Sequence, residues 1–152
     1  MDSHSSYMRF ALELAREAGE RGETPIGCAV VDAGGVIIGY GRNRREMEKN
    51  AVAHAEIEAI GSACKALGNW RLDGCSLYVT LEPCPMCAGA IIMSRISKVF
   101  YGARDGSTGS CGSVINLFME PYGSAAHITG GILADECSRL LTGFFKALRE
   151  RR

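Results

Sequence analysis

The stretch Pro83-Cys84-Pro85-Met86-Cys87 lies between two short apolar runs, residues 77–81 and 98–101, which have the length and composition of buried strands. The small and apolar residues 88–93 continue the stretch as a helix, and prolines favour a helix start at this point. A strand, a helix and a second strand in this order predict a crossover between two parallel strands.

An upstream motif, His54-Ala55-Glu56, supplies the third ligand and the carboxylate that a catalytic metal site needs in addition to the two cysteines. Catalytic zinc usually takes three nitrogen or sulfur ligands from the protein and leaves a fourth, tetrahedral position for water. His54, Cys84 and Cys87 fit that count, and the positive end of a helix dipole favours the thiolate forms that zinc requires. Glu56 can reach the bound water but is badly placed to coordinate the ion, so we predict that it is the proton shuttle.

A Cys-x-x-Cys pair such as Cys84 and Cys87 is also typical of a redox pair, or of half of a four-cysteine structural zinc site. The chain has no second Cys-x-x-Cys, and its other histidines, His4 and His127, fall in a predicted tail and a predicted strand. The pattern therefore favours catalytic zinc. The remaining cysteines are predicted to be small buried hydrophobic residues, namely Cys28, Cys64, Cys75, Cys111 and Cys137.

Length and composition predict a single domain over residues 1–152. A chain of 152 residues with 47% hydrophobic content can bury one substantial core, but two would be small. The N-terminus has no apolar signal segment, and no stretch is long and apolar enough to cross a bilayer. Because the cysteine number is odd, at 7, we expect a protein of the reducing cytoplasm with no membrane partner.

The formal net charge is zero, so any binding of nucleic acid must use local patches rather than a global positive field. Two basic clusters precede His54 and end the chain, and both are equally compatible with ordinary solvated surface. They consist of Arg42, Arg44, Arg45 and Lys49, and of Lys146, Arg149, Arg151 and Arg152.

Hydrophobic periodicity predicts alternating helices and strands along the first half of the chain. A first helix is expected to be capped by Ser5 and Ser6 and to stop at Gly19. Residues 26–31 and 36–40 predict a hairpin around a glycine turn. A helix is expected over residues 54–67, with an apolar side formed by Ile57, Ile60, Ala63, Cys64 and Leu67.

The second half is expected to contain a mobile loop at residues 102–112, a short helix at 113–119 and a short strand at 126–129. A last amphipathic helix begins near Asp135, and its Phe144 and Phe145 are more simply interpreted as core than as substrate-facing aromatics. The other members of its apolar side are Cys137, Leu140, Leu141 and Leu148. Together these elements predict helices on both sides of a central sheet.

Several further stretches resemble bacterial tRNA adenosine deaminase over nearly the whole chain. They are Arg71-Leu72, Leu77-Tyr78-Val79-Thr80-Leu81-Glu82-Pro83-Cys84, Met86-Cys87-Ala88-Gly89-Ala90, Ser94-Arg95-Ile96, Tyr101-Gly102-Ala103-Arg104-Asp105 and Gly131-Ile132-Leu133. The His-x-Glu and Pro-Cys-x-x-Cys motifs resemble the zinc nucleobase deaminases in general. The longer stretches quoted above resemble one family among these deaminases, the bacterial tRNA adenosine deaminases.

The resemblance implies an α/β protein with the three-layer α/β/α cytidine-deaminase-like fold, a five-stranded mixed sheet and a homodimer. It implies a hydrolase of a cyclic amidine C–N bond that converts the wobble adenosine of an arginine tRNA anticodon stem-loop to inosine, using water activated by one zinc ion per subunit. Asn43 and Ala55 are expected to contact the substrate base. Asn43 is chemically suited to a purine edge, although a role as a turn former beside Gly41 is nearly as plausible.

The sequence departs from that family where RNA is expected to bind. Gly123-Ser124-Ala125 stands where the family often has Asn-His-Arg, and Ser107 stands where it often has lysine. Losing these groups would weaken backbone contacts without affecting the zinc chemistry. Two alternatives therefore stay open: a zinc deaminase of a free nucleobase, a nucleoside or single-stranded DNA, and a non-catalytic deaminase-like RNA-binding subunit, which the intact Glu56 disfavours.

Overall fold

The computed structural model describes residues 2–151, in which four α-helices flank one five-stranded sheet. The helices are α1 (Ser3–Glu20), α2 (Ala55–Leu67), α3 (Pro85–Ser94) and α4 (Ala134–Glu150). The strands are β1 (Gly27–Val31), β2 (Ile37–Arg42), β3 (Ser76–Leu81), β4 (Lys98–Ala103) and β5 (His127–Thr129). The sequence predicted each of these elements to within a few residues.

The sheet is mixed, with strand order β2-β1-β3-β4-β5. Strand β1 pairs antiparallel with both β2 and β3, whereas β3, β4 and β5 run parallel. The predicted hairpin, the parallel crossover through α3 and the five-stranded mixed sheet are therefore confirmed.

Side chains that alternate along the strands divide the core into two layers. In β3, Leu77 and Val79 point to one face of the sheet, and Tyr78 points to the other. Helices α2 and α3 cover the first face, and α1 and α4 cover the second. The molecule thus has the predicted three-layer α/β/α architecture.

Helix α2 lies unusually close to β2. A Cβ atom on Gly39 would fall 2.4 Å from the carbonyl oxygen of Ala59, closer than real Cβ atoms approach. The helix consequently buries Ala55, Ala59 and Ala63 against the sheet, and Leu67 is exposed. Of the predicted apolar side, Ala63 is buried, and Ile60 and Cys64 pack against the core as expected. The prediction was wrong for Leu67 and missed Ala55 and Ala59, because larger side chains cannot enter so narrow a gap.

The start of α1 also differs from the prediction. The N-cap is Asp2, whose side chain accepts a hydrogen bond from the backbone N–H of Ser5 at 2.9 Å. His4 is therefore helical rather than part of a tail, and its Nδ1 lies 2.7 Å from the Tyr78 hydroxyl. Aspartate is at least as good a cap as serine, so the helix begins three to four residues earlier than expected.

The region after β4 has less helix than predicted. Of residues 113–119, only Leu117–Met119 form a 3-10 turn. Four of the five remaining cysteines are buried as expected, whereas Cys64 is half-buried. In α4 only Cys137 is fully buried. Arg152 of the predicted basic end lies outside the described residues.

Candidate active site

The first turns of α2 and α3 meet at one end of the molecule, and both carry the residues singled out from the sequence. His54 is the N-cap residue of α2, and Glu56 lies in its first turn. Cys84 is the N-cap residue of α3, with Cys87 one turn further on. The orphan N–H groups of two helices thus give this region a positive potential that favours thiolates and a carboxylate.

The three candidate ligands form the one cluster among residues 2–151 whose metal-ligating atoms all lie within 4.8 Å of one another. His54 Nδ1 is 3.7 Å from Cys84 Sγ and 3.5 Å from Cys87 Sγ. Zinc–sulfur bonds of about 2.3 Å and zinc–nitrogen bonds of about 2.0–2.1 Å at a tetrahedral angle place sulfur and nitrogen roughly 3.6 Å apart. The donor set and its spacing therefore fit a zinc ion bound through Nδ1.

Within the chain alone, the two thiols share a proton unequally. A hydrogen bond from Cys87 lowers the pKa of Cys84 to about 4. The same contact, together with burial, raises the pKa of Cys87. Its hydrogen bond to Cys84 raises the pKa of His54. Metal binding at this site must displace the proton held by Cys87, so affinity for zinc is expected to rise with pH.

Glu56 is 4% exposed and lines the cavity beside the cluster. Burial raises its pKa to about 7, and the nearby Cys84 thiolate acts in the same direction. A carboxyl group with a pKa near neutrality can both accept and return a proton, which is the requirement for a general base that later acts as an acid.

The cluster opens into a cavity of about 420 Å³. This volume lies within the range usual for small-molecule sites. His54, Glu56 and Cys84 line it, together with side chains from β3, α4 and two loops. The further lining residues are Thr24, Ile26, Asn43, Arg45, Ala55, Leu81, Glu82, Arg104, Asp105, Gly106, Ser107, Thr108, Leu141 and Phe145.

Asn43 and Ala55 both line this cavity, but Asn43 also has structural partners. Its Nδ2 donates to the carbonyl oxygen of Thr24 at 3.2 Å, and its Oδ1 accepts from the N–H of Arg45 at the same distance. The side chain therefore holds a turn, which was one of the two roles expected for it. One N–H and one oxygen lone pair of the amide remain for a ligand.

Residues 104–113, which we call the wall loop, form one side of the cavity and are tied to two carboxylates. Asp105 accepts hydrogen bonds from the backbone N–H and hydroxyl of Ser107 and of Thr108. Glu82 accepts from the N–H groups of Asp105, Cys111 and Ser113. Ser107 thus occupies the cavity wall, whereas Gly123-Ser124-Ala125 does not line the cavity.

The aromatic wall from α4 and the buried carboxylates under the loops were not predicted from the sequence. Phe145 is 40% exposed and lines the cavity with Leu141, so its assignment to the core was wrong. Glu23, only 2% exposed, accepts from the N–H groups of Glu46 and Met47 and so anchors the loop before His54. A charged residue in an otherwise apolar stretch was the available signal for Glu82, whereas Glu23 closely follows Glu20 and Arg21 and had no such signal.

A His-Cys-Cys cluster beside a buried glutamate, at the helix N-termini of this three-layer fold, defines the class of zinc-dependent nucleobase deaminases. The chain belongs to the cytidine and deoxycytidylate deaminase family, whose zinc-binding region matches residues 1–103. The predicted family, its hydrolytic deaminase chemistry and its single zinc ion are confirmed at this level.

Known relatives agree along the whole chain. The tRNA-specific adenosine deaminase of Bacillus subtilis (strain 168) is 47% identical over 153 residues, which cover 100% of this chain and 94% of that protein. A solved structure from studies of A-to-I editing by tRNA:A34 deaminases at the wobble position is 43% identical, with a TM-score of 0.86 over 90% of this chain and 99% of the other.

A guanine deaminase from Nitrosomonas europaea is a more distant structural neighbour. It is 29% identical, with a TM-score of 0.79 over 92% of this chain and 83% of the other. The fold is therefore shared with a deaminase of a different substrate, and the substrate of this chain must be argued from the cavity and from the nearer relatives.

Proposed function

We propose that this protein deaminates adenosine to inosine at the wobble position of a tRNA anticodon stem-loop, with His54, Cys84 and Cys87 as zinc ligands and Glu56 as proton shuttle. The observation that carries the proposal is the cluster of the three candidate ligands, because His54 and Cys84 line one cavity together with Glu56. Full-length similarity to tRNA-specific adenosine deaminases supports the choice of substrate over a free base.

Zinc bound at this cluster would supply Lewis-acid activation of a water molecule. Glu56 accepts a proton from the attacking water and delivers it to the ring nitrogen. It then takes the proton of the new hydroxyl group on carbon 6 and delivers it to the departing amino group, so that ammonia leaves as the carbonyl group of inosine forms. Within the chain alone, burial raises the pKa of this carboxyl group to about 7, which favours exchange of its proton near neutral pH.

The cavity lining suits a flipped-out purine. Asn43 offers an amide to the base edge, and Ala55 keeps the floor small enough for the ring to approach. Phe145 provides an aromatic surface at the rim. Arg45 and Arg104 bring positive charge to the same rim, where the phosphates that flank an extruded nucleotide would lie.

We also propose a homodimer, a cytoplasmic location and a single catalytic domain over residues 1–152. Four exposed apolar side chains belong to α3, to the 3-10 turn and to the segment that leads into this turn, and the turn packs against α3. They are Met93, Val114, Ile115 and Met119. An exposed apolar surface of this kind is typical of an interface between subunits. Across residues 2–151, none of the helices is both long and apolar enough to span a bilayer.

The test is a deamination assay with zinc-loaded protein on an arginine tRNA anticodon stem-loop, compared with free adenosine, guanine, cytidine and single-stranded DNA. Conversion of adenosine to inosine on the stem-loop alone supports the proposal. It would also show that the enzyme does not need Asn-His-Arg at the position of Gly123-Ser124-Ala125. Activity on guanine alone would mean that this protein has the same substrate as the structural neighbour from Nitrosomonas europaea, and it would overturn the tRNA assignment.

A further inference from the structure

Glu82 is a buried carboxylate to which the proposed chemistry gives no role. It lies between the end of β3 and the candidate ligand Cys84 and is 2% exposed. Its two oxygens accept hydrogen bonds from the backbone N–H of Asp105 at 3.1 Å, of Cys111 at 2.9 Å and of Ser113 at 3.1 Å, and from the Ser113 hydroxyl. One side chain therefore gathers both ends of the wall loop.

Backbone hydrogen bonds join the same two segments. The N–H of Glu82 donates to the carbonyl oxygen of Ala103 at 2.8 Å, and the N–H of Ser110 donates to that of Pro83 at the same distance. Gly109 packs so tightly that a Cβ atom there would lie 2.5 Å from the Glu82 carboxyl carbon. These contacts thus hold the wall loop at a fixed position relative to the segment that carries Cys84.

A carboxylate buried without partners is costly, whereas one that accepts several hydrogen bonds is stable as an anion. Replacing the carboxylate by an amide would leave one acceptor oxygen in place of two, so that part of this set of N–H groups would lose its acceptor.

We propose that Glu82 is a positioning residue for substrate binding: its carboxylate fixes the wall loop against the Cys84 side of the cavity, so that the base enters a preformed site. The wall loop contributes Arg104, Ser107 and Thr108 to the cavity. Their distance from the reacting centre then depends on Glu82 and not on ordering of the loop by substrate. The identity of the substrate in this proposal rests on the proposed function.

The experiment compares Glu82→Gln with Asp32→Asn as a matched control. Asp32 Oδ1 also accepts two backbone N–H groups, from Gly34 and Val36 at 2.9 Å each, but in the β1–β2 turn and outside the cavity lining. Each protein is measured for zinc content, for hydrogen exchange of the wall-loop amides and for kcat and KM on whichever base or nucleic acid the wild type deaminates.

For Glu82→Gln we expect one zinc per chain, faster exchange at one or more of Asp105, Cys111 and Ser113, and a KM about tenfold higher with a smaller change in kcat. Asp32→Asn should match the wild type in all three. Unchanged exchange, or wild-type KM in the folded and zinc-loaded variant, would overturn the proposal. The exchange measurement decides it even if the wild type fails to act on a tRNA stem-loop, an outcome that refutes only the substrate assignment.

A second variant covers the case in which Glu82→Gln does not fold. Ser113→Ala removes only the hydroxyl donor to Glu82 and leaves the backbone contacts in place. It should keep the fold and zinc, and raise exchange at Ser113 and KM by a smaller factor. Wild-type values for both would count against the positioning role.

Discussion

Glu56 shows how position gives an ordinary residue its chemistry. A glutamate on a solvated helix face would be ionised at neutral pH, but burial in the first turn of α2 raises the pKa of this carboxyl group to about 7. It is therefore poised for proton transfer beside the candidate zinc ligands.

The first prediction concerns the loss of that carboxylate. Glu56→Gln should keep zinc, because the three ligand side chains are unchanged, and should lower kcat by about 10²- to 10⁴-fold, the usual contribution of a general acid–base group. Metal analysis and a deamination assay measure both. Glu48→Gln, at an exposed position outside the cavity, is the control, and deamination at the wild-type rate by zinc-loaded Glu56→Gln would refute the assignment.

The second prediction follows from the sign of the same pKa shift. In chelator-treated protein, the unfolded state releases the Glu56 proton near the ordinary pKa of 4.5, and the folded state holds it until about 7. Folding is therefore penalised increasingly as pH rises between these values, by on the order of 3 kcal/mol above pH 7. Glu56→Gln lacks this penalty.

Denaturant unfolding at pH 4.5 and pH 8 tests this expectation. The free energy of unfolding of Glu56→Gln relative to wild type should increase with pH over that interval. Cys84 and His54 titrate in both proteins, and their coupling to Glu56 forms part of the measured difference. A difference that is constant with pH would mean that the folded carboxyl group titrates normally.

The residues of the site differ in how far the sequence could predict them. His54, Glu56, Cys84 and Cys87 were predictable because each pair is fixed by local spacing at a helix start. The contact of Glu82 with Ser113 spans 31 residues and has no periodic signature, so only the fold reveals it.

At the scale of elements, the position of α2 is decided by glycine in its neighbour. Gly39 of β2 lets the backbone of α2 approach so closely that alanines fill the interface. The start of α2 carries His54 and Glu56, so a shift of this helix moves both groups relative to α3.

The third prediction uses Gly39→Ala. The added Cβ would meet backbone at Ala59 rather than a flexible side chain, so we expect destabilisation of about 1–3 kcal/mol. Weaker zinc binding should accompany it, because His54 moves away from the cysteines. Thermal unfolding and competition with a zinc chelator measure the two effects.

Gly61→Ala is the matched control within α2. Nothing lies within 4 Å of a Cβ atom at Gly61, so alanine there should stabilise the helix by roughly 0.5–1 kcal/mol and leave zinc affinity unchanged. If Gly39→Ala behaved like Gly61→Ala, close packing of α2 on β2 would not be what places the histidine.

Packing of the helices explains why the sequence predicted the wrong apolar residues in α2 and α4. Periodicity identified α2, but the residues it buries are small, and a scale of hydrophobicity favours Ile57 and Leu67 over Ala59. The apolar side of α4 is wider than the part that the sheet covers. Two of its uncovered residues, Leu141 and Phe145, line the cavity. Periodicity cannot tell a core-facing stripe from a ligand-facing one.

For the whole molecule, a net charge of zero limits how RNA can be held. Affinity for an anticodon stem-loop must come from the cavity and from a few local cations such as Arg45 and Arg104. The wall loop has Ser107 bound to Asp105 where the family often places lysine. Because this contact surface is small, the arrangement of the two subunits in the proposed dimer affects how much of the protein can contact each RNA substrate.

The fourth prediction therefore concerns assembly. Met119 is 80% exposed and belongs to the apolar surface assigned to the proposed dimer, so Met119→Glu should introduce an unpaired charge there and dissociate it. Val36→Glu, at a 59% exposed position in the β1–β2 turn, adds the same charge elsewhere and should leave assembly unchanged. Sedimentation should give wild type and Val36→Glu twice the chain mass of 16.3 kDa, and Met119→Glu the single mass. A wild type that sediments as a monomer at micromolar concentration, or a Met119→Glu variant that remains dimeric, would show that this surface does not join two subunits.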